Sequence, residues 1–396
     1  MIASLLILSN QIKNQKLPVY KRFLYKNIDF NNRLLGIIGA RGAGKTTLLL
    51  QYLKEETRAE ETLYIIADHP IVLEHGLFNI ADEFQRVGGK LLIIDEIHKV
   101  KDFEIALKLI YDTFNELTVF FTGSSAVALN NAKADLSRRA ILYRLPVLSF
   151  REYLELESDQ VFSSYSLAQL TQDHVTIASD ILENIKPFMY FSSYLQQGAY
   201  PFYKENQSTY LEKLFTASMQ VLENDIPAIY SIDHDKINAL KKMMVMLCQS
   251  EPFDINISKL CGAVGLNQRT LYKYLGILQE TSLIRIMGAK SNGVSIISKP
   301  EKLYLANTNL FSIFCEQPKT GTIRETFFAS MLAQQYTLSY PKSGDFLVNE
   351  KYTFEVGGRN KNTLQIKDIN NAYIAADDLE IGALNKIPLW LFGFLY

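Results

Sequence analysis

Short apolar runs alternate with helical patterns over the first 150 residues. Five mostly apolar runs predict strands, at residues 34–38, 62–67, 90–94, 118–122 and 140–145. The segments between them, such as residues 101–114, carry helical patterns. Strands that alternate with helices are typical of a parallel sheet with helices on both faces. The sequence therefore predicts an α/β domain over residues 1–150.

The rest of the chain divides into three regions of different pattern. Strand signals nearly vanish over residues 151–238, which predicts a helical lid or linker. Residues 239–315 carry a helix–turn–helix pattern followed by a hairpin, which predicts a winged-helix module. Residues 316–396 combine a helix at 324–334 with strand-like runs and predict a small α/β domain. These runs lie at residues 336–340, 345–348, 352–356 and 388–394.

Composition and charge narrow the class of partner. The 396 residues are 48% hydrophobic and 21% charged, as in a folded protein. The net charge of −1 provides no general attraction to nucleic acid or to a membrane surface, so any such contact must be local. No apolar run reaches the length of a membrane span. We therefore expect a cytoplasmic protein that does not contact membranes.

The three cysteines, Cys248, Cys261 and Cys315, lie far apart in the sequence. No His or Cys accompanies them at the spacing of a metal site. We therefore expect reduced thiols, without a disulfide or a zinc ion.

A phosphate-binding motif follows the first predicted strand. It fits G-x-x-x-x-G-K-[ST] at every fixed position. A strand–loop–helix arrangement turns backbone N–H groups and the positive end of a helix toward one point. We expect Lys45 to contact the β- and γ-phosphates of ATP and the Thr46 hydroxyl to ligate Mg²⁺. The predicted ATP-binding residues are Gly39, Ala40, Arg41, Gly42, Ala43, Gly44, Lys45, Thr46 and Thr47.

Two acids end the third predicted strand. Four aliphatic residues, 91–94, precede Asp95 and Glu96. Carboxylates at the end of a buried strand are costly unless they face a metal ion or water. Asp95 therefore suits the Walker B role of holding Mg²⁺, and Glu96 can polarise a water for attack on the γ-phosphate. The alternative is that Glu96 caps the following turn or solvates a strand end.

Two further sets of polar residues are candidates for the same reaction. Thr122 ends the fourth predicted strand and Ser124 follows it, so either hydroxyl could position the attacking water. They could equally be turn residues. Arg138 and Arg139 could supply a cation to the transition-state phosphates, in cis or from a neighbouring subunit. Paired arginines are also common on solvated faces.

Taken together, these motifs resemble the prokaryotic AAA+-type ATPases that carry a C-terminal domain of uncharacterised function. The resemblance covers nearly the whole chain and implies ATPase activity. In that family a Gly-Arg pair follows Leu-Ser; here Arg138 replaces the glycine and Arg139 keeps the arginine, which favours Arg139 as a catalytic residue. The matching stretches are residues 39–46, 91–96, 121–125, 136–139, 145–153, 194–201, 223–227 and 302–308.

The predicted winged helix is a candidate DNA-binding surface. Two short helices, 257–264 and 267–280, are joined at Gly265, with Asn267 as the N-cap of the second. Residues 282–288 and 296–306 predict the hairpin, or wing. Winged helices also serve as protein-packing modules. If the second helix enters a DNA groove, the residues that face the bases are Gln268, Arg269, Thr270 and Lys273.

The end domain resembles the PD-(D/E)xK nucleases. Glu325, Asp345 and Glu355 follow the spacing of the acids that hold a divalent metal in those enzymes. Gly357 occupies the position of their lysine, and Lys361 would have to reach in from the following loop. We therefore expect a degenerate restriction-endonuclease-like domain that serves packing or recognition and does not cut DNA.

These predictions define one preferred function and two alternatives. The preferred one is an ATP- and Mg²⁺-dependent hydrolase that couples its nucleotide state to a DNA or protein partner or to a homo-oligomer. The alternatives are an ATP-gated DNA nuclease and a slow nucleotide-dependent switch or scaffold. Fast DNA-stimulated turnover would separate the first from the last.

Overall fold

The computed structural model describes residues 1–56, 61–123, 136, 138–230, 232, 234–249, 257–288 and 302–396. They form two compact units, Met1–Pro146 and Val147–Tyr396. The three regions that the sequence distinguishes after residue 150 therefore lie within one compact unit.

A five-stranded parallel sheet forms the centre of the first unit. The strands are β1 (Leu34–Ile38), β2 (Thr62–Ile66), β3 (Leu91–Asp95), β4 (Thr118–Gly123) and β5 (Ile141–Arg144). Their order across the sheet is β2-β3-β4-β1-β5, and every neighbouring pair is parallel. The three strands β1, β3 and β4 are inner strands and are almost wholly buried, which explains their continuous apolar runs. The predicted α/β fold class is confirmed.

Helices flank this sheet. They are α1 (Ile2–Lys13), α2 (Lys45–Glu55), α3 (Pro70–His75), α4 (Leu77–Arg86) and α5 (Phe103–Thr113). Helix α4 buries Leu77, Ile80, Ala81 and Phe84, which recur at helical spacing along one face. On α2 the ring of Tyr52 packs against Phe120 of β4, with centroids 5.4 Å apart.

The second unit begins with helices. They are α6 (Phe150–Ser158), α7 (Leu167–Asn184), α8 (Phe188–Gln197), α9 (Tyr210–Gln220), α10 (Ile226–Tyr230) and α11 (His234–Gln249). Reciprocal capping boxes begin α6 and α7, formed by Ser149 with Glu152 and by Ser166 with Gln169. A π-helical turn, Val221–Asp225, joins α9 to α10.

Two helices and a hairpin follow. Helices α12 (Ile257–Val264) and α13 (Gln268–Glu280) precede the antiparallel strands β6 (Ile284–Met287) and β7 (Lys302–Leu305). The Asn267 side chain accepts a hydrogen bond of 2.9 Å from the Thr270 N–H, as expected for the N-cap of α13. The predicted tip of the wing, around residues 290–293, lies outside the described residues.

The chain ends in helices α14 (Phe311–Phe314) and α15 (Thr320–Leu332) and a mixed sheet. Its strands are β8 (Leu338–Ser339), β9 (Phe346–Val348), β10 (Tyr352–Gly357), β11 (Ala372–Ala376) and β12 (Lys386–Pro388), in the order β12-β11-β10-β9-β8. The strand predicted at residues 388–394 is wrong. Leu389–Phe394 forms a 3₁₀ helix that is buried at all six positions, so its apolar run reflects burial on every side.

One aromatic core joins the helical region to the end of the chain. Phe150 lies 5.0 Å from Phe191 and 6.3 Å from Phe394, and Phe191 lies 5.0 Å from Phe327 (ring centroids). The carbonyl of the C-terminal Tyr396 accepts hydrogen bonds from the side chains of Ser149 and Arg151. Phe150 and Phe394, 244 positions apart in the sequence, therefore share one hydrophobic core.

Two cysteines contradict the prediction of three free thiols. Cys248, in the last turn of α11, and Cys315, directly after α14, form a disulfide with Cα atoms 5.7 Å apart. Their 67-residue separation in the sequence concealed this neighbourhood. Cys261 is a free thiol. Among the described residues, none of the helices combines the length and the apolar character that crossing a bilayer requires.

Candidate nucleotide-binding site

Glycines shape the loop between β1 and α2. Gly44, directly before α2, has φ +97°, a left-handed conformation that side chains disfavour. A Cβ atom on Gly39 would lie 2.2 Å from the carbonyl oxygen of Leu145, so only glycine allows this close approach to the end of β5. The loop therefore has the conformation that leaves the first backbone N–H groups of α2 available at its mouth.

The Lys45 ammonium lies inside this loop. The residue is 7% exposed, and its Nζ donates to the carbonyl oxygens of Gly39 and Ala40 at 3.0 and 2.8 Å. A positive charge is thus held beside the N-terminus of α2, which itself carries partial positive charge. Contact of Lys45 with the phosphates of ATP stays a prediction.

Asp95 is the point at which four elements meet. The Thr46 hydroxyl of α2 donates to both of its carboxylate oxygens, at 3.0 and 2.9 Å. The Tyr64 hydroxyl of β2 donates to Oδ2 at 2.7 Å, and the Thr122 hydroxyl of β4 donates to Oδ1. The predicted pair of Thr46 and Asp95 is therefore brought together. A carboxylate and a hydroxyl this close form an oxygen donor set that suits Mg²⁺.

Glu96 has a strained backbone and a partly buried side chain. Its φ of 53° and ψ of 44° place it in the left-handed region. Its N–H donates to the Thr122 hydroxyl at 3.0 Å, which fixes the residue beside Asp95. Burial raises the pKa of Glu96 above its ordinary value, while the Arg41 cation opposes this shift. Glu96 makes no side-chain cap to the 3₁₀ turn Ile97–Lys99 that follows, so the capping alternative has no support.

Of the other predicted catalytic residues, Arg139 lies away from the phosphate loop. Ser124 lies outside the described residues. Arg139 precedes β5, which runs parallel to β1 with Leu35 opposite Ile141. It therefore lies at the edge of the sheet opposite the loop, about 13 Å away along a four-residue strand. There it pairs with Asp112 at 2.8 and 3.0 Å. Supply of a cation in cis by Arg139 is wrong for this structure.

Two residues at the site escaped the sequence analysis. Tyr64 was placed only within a strand, and the signal that could have found it is the adjacent, parallel pairing of β2 and β3. Arg22 is 5% exposed and donates to the carbonyl oxygens of Ala43, in the loop, and Pro146, at 2.6 and 2.8 Å. No pattern in the sequence around Arg22 indicates this role.

The candidate DNA-contacting residues lie on the surface. Gln268, Arg269 and Lys273 are exposed on α13, and Thr270 is partly buried. The Gln268 amide donates to the Tyr272 hydroxyl at 2.9 Å. The cations on this helix are thus accessible to a partner.

The three acids of the end domain face lysines. Lys302 contacts Glu325 and Asp345, and Lys361 contacts Glu355 at 2.6 Å. Lys361 therefore does reach in from the loop after β10. Its side chain fills the space where a Cβ on Gly357 would lie, at 2.8 to 2.9 Å. In the part of the chain that the structure describes, no three His, Cys, Asp or Glu residues are grouped to hold a metal ion.

Two family models match parts of the chain. Residues 31–154 match the family model described as an AAA domain. This match covers all five strands of the parallel sheet, β1 to β5. Residues 190–318 match a second model, described as a domain of unknown function (DUF8612). That match spans part of the predicted helical region, the whole predicted winged helix and the first three residues of the predicted end domain.

Relatives of the whole chain are distant. The uncharacterized protein MJ1637 of Methanocaldococcus jannaschii is 26% identical over 442 residues, which cover 98% of this chain and 91% of that protein. The structure of the Walker-type ATPase PABY2304 of Pyrococcus abyssi is similar with 11% sequence identity and a TM-score of 0.44. The match covers 76% of this chain and 99% of the PABY2304 chain. AMPPCP-bound DnaA from Aquifex aeolicus is 16% identical, with coverages of 65% and 85% and a TM-score of 0.27. Structural similarity this low supports no conclusion about function.

Proposed function

We propose that this protein binds ATP and hydrolyses it at the loop between β1 and α2. The observation that carries the proposal is the convergence of Thr46 and Asp95, within 3.0 Å, at the N-terminus of α2. The AAA-type match of residues 31–154 supports the same class of reaction.

Each residue has a role that follows from its position. The loop N–H groups and the Lys45 ammonium bind the β- and γ-phosphates. Thr46 and Asp95 would hold Mg²⁺, which supplies positive charge to the phosphates when it is bound. Glu96 accepts the proton of the attacking water, and its raised pKa suits a general base. Tyr64 and Thr122 hold the Asp95 carboxylate in place.

The hydrolysis is proposed to control a binding surface on the second unit. Helix α13 carries the exposed cations Arg269 and Lys273, and Gln268 lies exposed beside them. Such side chains bind DNA phosphates and bases when a helix enters the major groove. DNA is therefore the partner that we test first, with a protein partner or a second copy of the chain as the alternative outcome.

ATP turnover with and without duplex DNA tests both parts of the proposal. We expect Lys45→Ala and Glu96→Gln each to lower turnover by at least about 100-fold, since each removes a group that acts on the transition state. Glu83→Gln is the matched control, because Glu83 is exposed on α4. It should retain native turnover. Unchanged turnover in both site variants would contradict the assignment.

DNA stimulation separates the coupled hydrolase from the switch. If duplex DNA raises native turnover, Arg269→Ala and Lys273→Ala should reduce that increase and leave basal turnover unchanged. Turnover that is slow and insensitive to DNA would favour the switch or scaffold. In the end domain, Lys302 and Lys361 contact the acids that the nuclease alternative would need as metal ligands.

A further inference from the structure

A buried lysine lies between two acids in the second unit. The Lys302 side chain is 0% exposed, and its Nζ lies 3.2 Å from Glu325 Oε2 and 3.1 Å from Asp345 Oδ1. Lys302 begins strand β7 of the hairpin, Glu325 lies on α15, and Asp345 directly precedes β9. The hairpin therefore supplies a cation to acids of the end domain.

The surroundings complete this ion cluster. Tyr304, also on β7, donates to Glu325 Oε2 at 2.7 Å, and the Val356 N–H donates to Asp345 Oδ2 at 2.9 Å. The Lys302 ammonium also lies 5.2 Å from the ring centroid of Tyr340 and 5.5 Å from that of Phe346. Lysine is rarely buried completely unless its charge is paired, and here acids and aromatic rings surround it.

The same cluster explains why these acids form no metal group. A divalent ion bound by Glu325 and Asp345 would need the space between their carboxylates, and the ammonium lies there. The third acid, Glu355, is paired with Lys361 at 2.6 Å. The ammonium of Lys302 carries the positive charge that a metal would otherwise supply.

We propose that Lys302 is the resident cation of the Glu325–Asp345 pair, that it excludes divalent metals, and that it fastens the β6–β7 hairpin to the end domain. A backbone hydrogen bond from Tyr340 N–H to the Gly288 carbonyl, 2.9 Å, joins the same two parts. The end domain is thus a packing module with a latent cation site, which opens only when the lysine is removed.

Binding of Mn²⁺ to nucleotide-free protein, followed by electron paramagnetic resonance, tests this proposal. We expect the native chain and Asp345→Asn to bind the same number of Mn²⁺ ions. Lys302→Met should bind one more, and the double variant Lys302→Met/Asp345→Asn should lose it. An ion that the native chain binds and Asp345→Asn loses would overturn the proposal, as would a Lys302→Met variant that gains none.

Thermal unfolding provides a second readout. Lys302→Met leaves two buried acids without a cation, so we expect a lower Tm than that of the native chain. Mn²⁺ should raise the Tm of Lys302→Met and not that of a triple variant with Glu325→Gln and Asp345→Asn. The triple variant should melt above Lys302→Met, because it has no uncompensated charge. A triple variant that melts below Lys302→Met would overturn the proposal. If Lys302→Met does not fold, the comparison of the native chain with Asp345→Asn still decides it.

Discussion

Asp95 accepts hydrogen bonds from three hydroxyl groups, which lie on α2, β2 and β4. The residue is 6% exposed, so a carboxylate there needs donors to offset its loss of hydration. Thr46 joins it to the phosphate loop, while Tyr64 and Thr122 set its orientation from the two strands beside β3. A change to either strand hydroxyl should therefore act through Asp95.

Tyr64→Phe removes one of these donors and keeps the ring. We expect the free energy of unfolding to fall by about 1 kcal/mol, and the Mg²⁺ concentration for half-maximal turnover to rise severalfold. Steady-state turnover against Mg²⁺ measures the second effect. Tyr25→Phe is the matched control, since its hydroxyl donates to Glu55 at the far end of α2, about 16 Å from the loop. An equal shift in the control would refute the specific role of Tyr64.

Protonation of His174 makes the free energy of unfolding depend on pH. Burial lowers its pKa below the ordinary value of 6.5, against the effects of the Leu170 and Lys386 backbone and of Asp173. The unfolded chain therefore binds more protons between the two pKa values, and the unfolding free energy falls as the pH drops below about 6.5.

The pH dependence of chemical denaturation measures this effect. His174→Gln should remove part of the loss of unfolding free energy between pH 6.5 and 5. This part is about 1.4 kcal/mol for each pH unit by which burial lowers the pKa of His174. His75→Gln changes an exposed histidine and should keep the native dependence. Identical pH profiles for the native chain and His174→Gln would contradict the account.

At the scale of elements, the direction of the strands decides which of the predicted site residues the structure brings together. The phosphate loop and the pair Asp95-Glu96 follow apolar runs whose direction in a parallel sheet brings them to one edge. The prediction that Arg139 acts in cis is wrong for the same geometric reason. Arg139 precedes a strand, so it lies at the other edge of the sheet, where it pairs with Asp112. The strand predicted at residues 388–394 is wrong because an all-apolar run indicates burial and does not distinguish a strand from a 3₁₀ helix.

Arg139→Ala follows from that placement. At nanomolar protein concentration we expect its ATP turnover to stay within about twofold of native, since a surface ion pair contributes little. A loss that appears only at micromolar concentration would assign Arg139 to the site of a neighbouring copy. A loss of tenfold or more at every concentration would contradict its position in this structure.

At the scale of the whole molecule, the shared aromatic core could not be predicted. Phe150, Phe191 and Phe394 come from regions of different pattern, and one sequence carries no signal for contacts that span more than 200 residues. The Cys248–Cys315 pair, 67 residues apart, was likewise hidden because one sequence does not show which distant residues are in contact. The change of pattern near residue 150 lies close to the boundary between the two compact units, whereas the later changes of pattern fall within one unit.

Phe191→Ala tests whether this core unfolds as one. Phe191 lies on α8, whereas Trp390, the one tryptophan of the chain, lies in the 3₁₀ segment of the end domain. We expect Phe191→Ala to lower the free energy of unfolding, measured by Trp390 fluorescence, by about 3 kcal/mol, because the substitution removes a buried ring. Phe215 is 45% exposed, so Phe215→Ala should lower the free energy of unfolding far less. A Trp390 transition that is unchanged in Phe191→Ala would mean separate cores.

The central claim is that this chain hydrolyses ATP with Glu96 as the base. Its most direct test is the nucleotide recovered after incubation with labelled ATP and Mg²⁺ and rapid gel filtration. We predict that Glu96→Gln retains intact ATP close to one per chain, that the native protein yields ADP, and that Lys45→Ala retains neither. Formation of ADP by Glu96→Gln at the native rate would contradict the account.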